Sequence, residues 1–165
     1  MWWSDRRRLL LGLAALPLAG CGFTPALAPG APAHALRGRI RADDPTDRDG
    51  VAFVARLEDR LGAPSAADWR LGWRLQITPE RLGLAPGQGE TRGQMLGQVV
   101  WTLTPEGADT PAARGQAEHF AGYDRTGTPL AIRAAAEDAR SRVAEMLAEA
   151  VAAELVATAP RWAGT

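Results

Sequence analysis

The stretch Trp69-Arg70-Leu71-Gly72-Trp73-Arg74-Leu75-Gln76-Ile77 decides the fold. Each odd position is large and apolar, and each even position is polar or glycine. Only a backbone with a period of two puts all five apolar groups on one side, so the segment reads as a strand. Burying a large apolar side chain stabilises by about 1.5–3 kcal/mol, so this one face carries much of the driving force for folding. The other face, with Arg70, Arg74 and Gln76, is expected to be wet or to meet a polar partner.

The flanking sequence supplies what that strand packs against. Downstream, Pro79 to Gly93 is rich in glycine and proline and reads as a loop between strands. Met95 to Leu103 is a third strand with Met95, Val99, Trp101 and Leu103 on its core side. After a turn over Pro105 to Pro111, Arg114 to Tyr123 is a weaker fourth strand. It sets Ala117, His119, Ala121 and Tyr123 on one side. Thr128-Pro129 then pairs a hydroxyl N-cap with proline at the first helical position. From there a helix runs to about Ala157, with Val143, Leu147, Val151 and Leu155 in a row at four-residue spacing. At 1.5 Å per residue it is about 43 Å long, more than the sheet it covers, and its end is expected to fray or project.

Upstream, Leu36 to Arg41 alternates apolar with polar and reads as a short first strand. Asp43-Asp-Pro-Thr-Asp47 offers a turn and helix N-caps. Phe53, Val54, Leu57 and Leu61 recur at helical spacing, and Gly62 is placed to stop that helix. The order is therefore β-α-β-β-β-α. The fold class is α+β, a two-layer sandwich of about four strands covered by two helices, with Trp69, Trp73 and Trp101 packed beneath them.

The N-terminus carries a different signal. Arg6, Arg7 and Arg8 precede an apolar run from Leu9 to Leu18, and Leu18-Ala19-Gly20-Cys21 follows. The run is too short to span a bilayer core, so it reads as the apolar centre of an export signal. The last four residues look like a bacterial lipobox, in which the Cys21 sulfur is lipidated, the chain is cleaved before it, and the new amino terminus is acylated. Residues 1–20 are then a signal peptide. Residues 21–35, with Pro25, Pro29 and Pro32, form a lipidated extended tether, residues 36–158 the folded domain, and residues 159–165 a short tail. Several acyl chains anchor a protein stably, at about 0.8 kcal/mol per buried methylene. Gly22 after the cysteine is compatible with the outer membrane.

Composition narrows the function. The chain has 165 residues, 19 basic and 19 acidic, and a formal net charge of zero. A general nucleic-acid binder needs a basic excess that is missing here. Every basic residue is arginine, whose planar fork pairs with carboxylates and phosphates in a way lysine does not copy. One cysteine excludes an internal disulfide and a multi-cysteine metal centre, and the two histidines, His34 and His119, lie far apart. Ser65 and Ser141, the serines beyond the signal, sit in no nucleophile motif. Gly87-Gln-Gly89 lacks the lysine of a phosphate loop. Glu137 and Asp138 are adjacent and diverge by about 100° on a helix, so they are no facing carboxylate pair. No enzyme, metal site or cofactor is expected.

The arrangement as a whole resembles the LPS-assembly lipoprotein LptE family of Gram-negative bacteria. The resemblance runs through Cys21-Gly22-Phe23-Thr24-Pro25, Asp44-Pro45, Trp69-Arg70-Leu71 to Thr78 and Gly93-Gln94 to Thr104. It continues through Phe120 to Tyr123, Leu130-Ala131 and Glu137-Asp138-Ala139 with the long helix. It implies an outer-membrane lipoprotein that plugs the lumen of an LptD-type β-barrel from the periplasmic side. Such a protein assists the barrel's assembly and takes part in lipopolysaccharide transport to the cell surface. On that reading Arg70 and Arg74 face the barrel, while Arg81, Arg92 and Arg133 are the basic groups nearest to lipopolysaccharide. The alternative is another periplasmic, lipid-anchored α+β binding module of the cell envelope.

Overall fold

A computed structural model describes residues 34–80 and 91–163. Cys21, the signal segment, most of the tether and Arg81 lie outside the described residues. The elements are β1 (Ile40–Ala42), α1 (Arg48–Leu61), β2 (Trp69–Glu80), β3 (Arg92–Pro105), β4 (Ala113–Asp124) and α2 (Pro129–Trp162), preceded by a 3-10 turn at His34–Leu36. The strands form one sheet in the order β1-β2-β3-β4. β1 runs parallel to β2, with Ile40 beside Trp69, and the other pairs are antiparallel. The α+β class and the order β-α-β-β-β-α are those that the alternation and the helical spacing predict.

Both helices lie on one side of the sheet. The odd positions of the strands face them: Leu71, Ile77, Met95, Val99, Trp101 and Leu103 are buried together with Phe53, Leu57 and Leu61 of α1. Val143, Leu147, Val151 and Leu155 of α2 have no exposed surface at all, so the row at four-residue spacing is the central stripe of the core. Gly97 lets that stripe come close. A Cβ at this position would overlap Val143 Cγ1 and lie 2.9 Å from Leu147 Cδ1. The glycine inside β3 marks the close approach of a helix, one of the known uses of glycine in a strand.

Three features differ from the expectations. The first strand is shorter than Leu36 to Arg41. Leu36 is buried in the 3-10 turn, and the chain turns again at Gly38, whose φ of 70° no strand allows. The Gly38 N–H donates to the Leu61 carbonyl at 2.9 Å, which fastens this turn to the end of α1. There Gly62, at φ 86°, closes the helix, as its position in the sequence predicts.

The second difference is the end of α2. It does not stop near Ala157 but runs to Trp162, through Pro160. A proline so close to the C-terminus of a helix removes a single donor, and the last turn survives that loss because it is docked. Trp162 is buried, and its ring meets Trp69 edge-on at a centroid distance of 5.0 Å. Its indole N–H donates to Thr158 Oγ1 at 3.0 Å, and that hydroxyl donates to the Glu154 carbonyl at 2.7 Å. Residues 159–162, expected in a tail, are part of the core. The third difference follows from the second: the overhang is at the other end of the helix, where Leu130 is 77% exposed.

The two helices are joined by arginines. Glu149 of α2 receives Arg56 Nη2 at 2.5 Å and Arg60 Nε at 2.7 Å, both from α1. Asp49 of α1 accepts from Arg140 Nε of α2 at 2.6 Å. These arginines and carboxylates form the polar border of the helix–helix seam.

Two substitutions test this packing. Gly97→Val is expected to lower unfolding stability by about 1–3 kcal/mol, because the added carbons have no space between β3 and α2. Trp162→Ala is expected to cost about 3–5 kcal/mol, the range for a large aromatic removed from a core. Urea unfolding followed by tryptophan fluorescence and circular dichroism measures both, and an unchanged midpoint for Trp162→Ala would mean that the last turn is undocked.

Candidate functional site: the open face of the sheet

The even positions of β2, β3 and β4 point away from the helices, and neither helix covers them. Arg70, Arg74, Gln76 and Thr78 of β2 are exposed, as are Gln98 and Val100 of β3 and Arg114, Gln116, Glu118 and Phe120 of β4. Register sets them in rows across the sheet. Gly72, Thr102 and Arg114 share one row, Arg74, Val100 and Gln116 the next, and Gln76, Gln98 and Glu118 the third. Thr78, Leu96 and Phe120 form the fourth. The face is a ladder of amides, hydroxyls and guanidinium groups with one apolar row at its far end. A depression of about 210 Å³ lies at its centre, lined by Gln76, Thr78, Leu96, Gln98 and Glu118.

This surface follows from the same alternation that builds the core. Antiparallel sheets in small domains often bury one face and leave the other polar. Here the polar side is rich in groups that both donate and accept, which suits a partner surface that is itself polar. Arg70 and Arg74 lie on it, as the sequence predicts. Arg41 of β1 and Arg114 of β4 belong to the same face, and reading β2 alone leaves them out. The even–odd rule applied to the other strands would have found both. Arg41 approaches Glu106 at 3.8 Å, whereas Arg70, Arg74 and Arg114 form no ion pair with another described residue.

A second cluster sits at the end of the sheet where β3 begins and β4 finishes. Arg92 stands opposite Asp124 in the register. With Gln94, Phe120, Gly122 and Tyr123 these two line a cleft of about 470 Å³. Phe120 is 63% exposed, an apolar wall beside a guanidinium group. Asp124 accepts from the Thr126 N–H and the Thr126 hydroxyl, each at 2.8 Å. The backbone N–H of Thr126 is the main reason its carboxyl titrates below its ordinary range. The Thr126 hydroxyl, the Arg125 N–H and the charge of Arg92 add to that effect. Arg133 is exposed in the overhanging start of α2, which leaves the β4 end through the same turn. Arg92 and Arg133 therefore share one end of the molecule, and Arg70 and Arg74 occupy the sheet face.

The described surface offers hydrogen-bonding and ion-pairing groups. Among the described residues no group of three or more His, Cys, Asp or Glu side chains is placed to hold a metal ion. His119 lies in β4 opposite Gly97, on the helix side of the sheet. None of the described helices is long and apolar enough to cross a membrane.

Solved structures share this architecture. A protein of Caulobacter crescentus CB15 described as a lipoprotein superposes with a TM-score of 0.65 at 20% identity. The match covers 78% of this chain and 96% of that one. The rare lipoprotein B of Shewanella oneidensis gives a TM-score of 0.56 at 16% identity, over 73% of this chain and 93% of the other. A minor lipoprotein of Acinetobacter baumannii gives 0.53 at 14% identity, over 73% and 90%. At these identities the likeness is one of fold. No family model and no curated protein matches the chain.

The Asp124 turn makes a titration prediction. A carboxyl depressed in the folded state adds stability at pH values above its unfolded pKa, and that stability is lost as the pH falls through the folded value. Carboxyl-detected NMR is expected to find Asp124 titrating below the ordinary aspartate range, and Thr126→Ala is expected to move its midpoint up. A midpoint unmoved by Thr126→Ala would show that the hydroxyl's hydrogen bond is absent in solution.

Proposed function

We propose that the protein is a lipid-anchored component of the bacterial outer membrane, held on the periplasmic side through Cys21, that works by docking and not by turnover. The observation that carries this reading is the sheet face itself. Its even side is polar, rich in arginine and uncovered among the described residues, while the odd side is fully used for folding. The lipobox ending at Cys21 supports the anchor. The shared fold with three proteins described as lipoproteins supports the envelope setting.

Within that reading the partner is a large β-barrel of the LptD type, and the chain is an LptE-like plug that assists barrel assembly and lipopolysaccharide transport. A barrel lumen is lined by polar groups, which an amide- and guanidinium-bearing sheet matches with hydrogen bonds. Arg74 and Arg70 then meet the lumen wall. Arg92 and Arg133, at the far end, have the guanidinium chemistry to pair with lipopolysaccharide phosphates, as does Arg81 by residue type.

A photo-reactive residue at position 74, expressed in cells, is expected to attach to an outer-membrane barrel. The same probe at Val51, exposed on the outside of α1, is expected not to attach. Attachment from Val51 and not from position 74 would place the docking surface on the helices and overturn the reading. Cys21→Ser is expected to move the protein from the membrane to the soluble periplasmic fraction. Membrane retention of that variant would remove the lipid anchor from the account.

A further inference from the structure

The arginines of the two layers have different surroundings. On the helices, Arg48, Arg56, Arg60, Arg140 and Arg142 each meet a carboxylate of the same chain. On the open face, Arg70, Arg74 and Arg114 are exposed and meet none among the described residues. Their strand neighbours show why. Across from Arg70 stand Arg41 on one side and Thr104 on the other, across from Arg74 is Val100, and across from Arg114 is Thr102. Positions where a carboxylate would pair with each arginine carry a like charge, a hydroxyl or an aliphatic group. Like charges directly opposite each other in a sheet are destabilising, yet the chain keeps Arg41 beside Arg70. Glu106 lies 3.8 Å from Arg41. Asp43 brings a second carboxylate, its Oδ2 3.5 Å from the point a Cβ on Gly72 would occupy. Four guanidinium groups, of Arg41, Arg70, Arg74 and Arg114, thus stand against the two carboxylates of Glu106 and Asp43.

The excess is confined to one end of the face. The next two rows along the strands, Gln76 with Gln98 and Glu118, then Thr78 with Leu96 and Phe120, hold no basic group. Arg70 and Arg74 flank Gly72 on β2, and Arg114 lies in the Gly72 row two strands away. At ordinary strand spacings the three Cα atoms are roughly 12–13 Å apart. A facing wall of strands repeats its own side chains at the same intervals, so a set of separate carboxylates on such a wall matches all three.

We propose that the surface docked on the open face is acidic at this end: carboxylates of the barrel wall pair with Arg70, Arg74 and Arg114, and uncharged polar groups meet the amide rows beyond. This rests on the docking proposed above and adds the sign of the charge and its place. Charge pairs of this kind fix register and turn away wrong partners more than they add affinity. The crowding of like charge on the free domain is relieved when the wall arrives.

Two measurements test it, one of them without the partner. In the purified lipoprotein at low salt, Arg70→Glu is expected to raise the thermal midpoint by about 1–4 °C, because it sets an acid opposite Arg41. A midpoint that does not rise would mean that Arg70 is already matched within the chain, and overturns the proposal. In cells, a photo-reactive residue at position 98 is expected to attach to the barrel. Attachment is expected to fall about tenfold when Arg70, Arg74 and Arg114 are all glutamate, and about threefold for Arg74→Glu alone, whose row holds no other charge. Three lysines at these positions, or Arg48→Glu on α1, are expected to leave it within about twofold. Circular dichroism checks the fold of each variant. Full attachment by the folded glutamate variants overturns the acidic wall and leaves the docking standing. No attachment from 98 with the arginines intact overturns the docking, and this proposal with it. Attachment from 98 to lipopolysaccharide in place of protein makes phosphate the anion and also overturns the acidic wall.

Discussion

The seam between α2 and the sheet is the constraint on which the rest depends. Four aliphatic side chains of one helix stripe lie against the odd positions of the strands, and Gly97 removes a Cβ that would hold the helix off. Because the close fit is on that side alone, the sheet is committed to being a two-sided object with unlike sides. The core side is mainly apolar, with His119 toward its β4 border. The other side carries arginine, glutamine and threonine, with Leu96, Val100 and Phe120 among them. Ion pairs across the helix seam add orientation more than energy, since most of the participating side chains keep a substantial exposed surface.

Much of this was legible in the sequence because a period of two and a period of 3.6 are hard to confuse over ten residues. β2, β3 and α2 each carry such a run, and their core faces are those the spacing predicts. The parts that were not legible depend on contacts distant in the chain. Leu36 and Ile40 alternate as a strand does, yet Gly38 between them takes a positive φ and hydrogen-bonds to the end of α1. Ala159 to Trp162 look like a tail after proline, and only the position of Trp69 beneath them explains why the helix goes on. The basic groups of the surface were only partly visible. Arg70 and Arg74 stand out because β2 alternates so clearly, whereas Arg41 and Arg114 join them only through the strand order.

The division of the surface has a physical reading. Face and end carry different chemistry. The face offers many weak, interchangeable hydrogen bonds spread over four strands, which favours a broad and polar counterpart. The end combines a guanidinium group, an exposed phenylalanine and a carboxylate whose titration is lowered by its own turn.

The contact between Trp69 and Trp162 joins the first residue of β2 to the final turn of α2, with nearly the whole domain between them in the chain. Its hydrogen-bond relay through Thr158 cannot form until that turn has emerged. Closure of this end of the core therefore depends on the final residues of the helix, and a chain cut short before Trp162 leaves Trp69 without its ring partner.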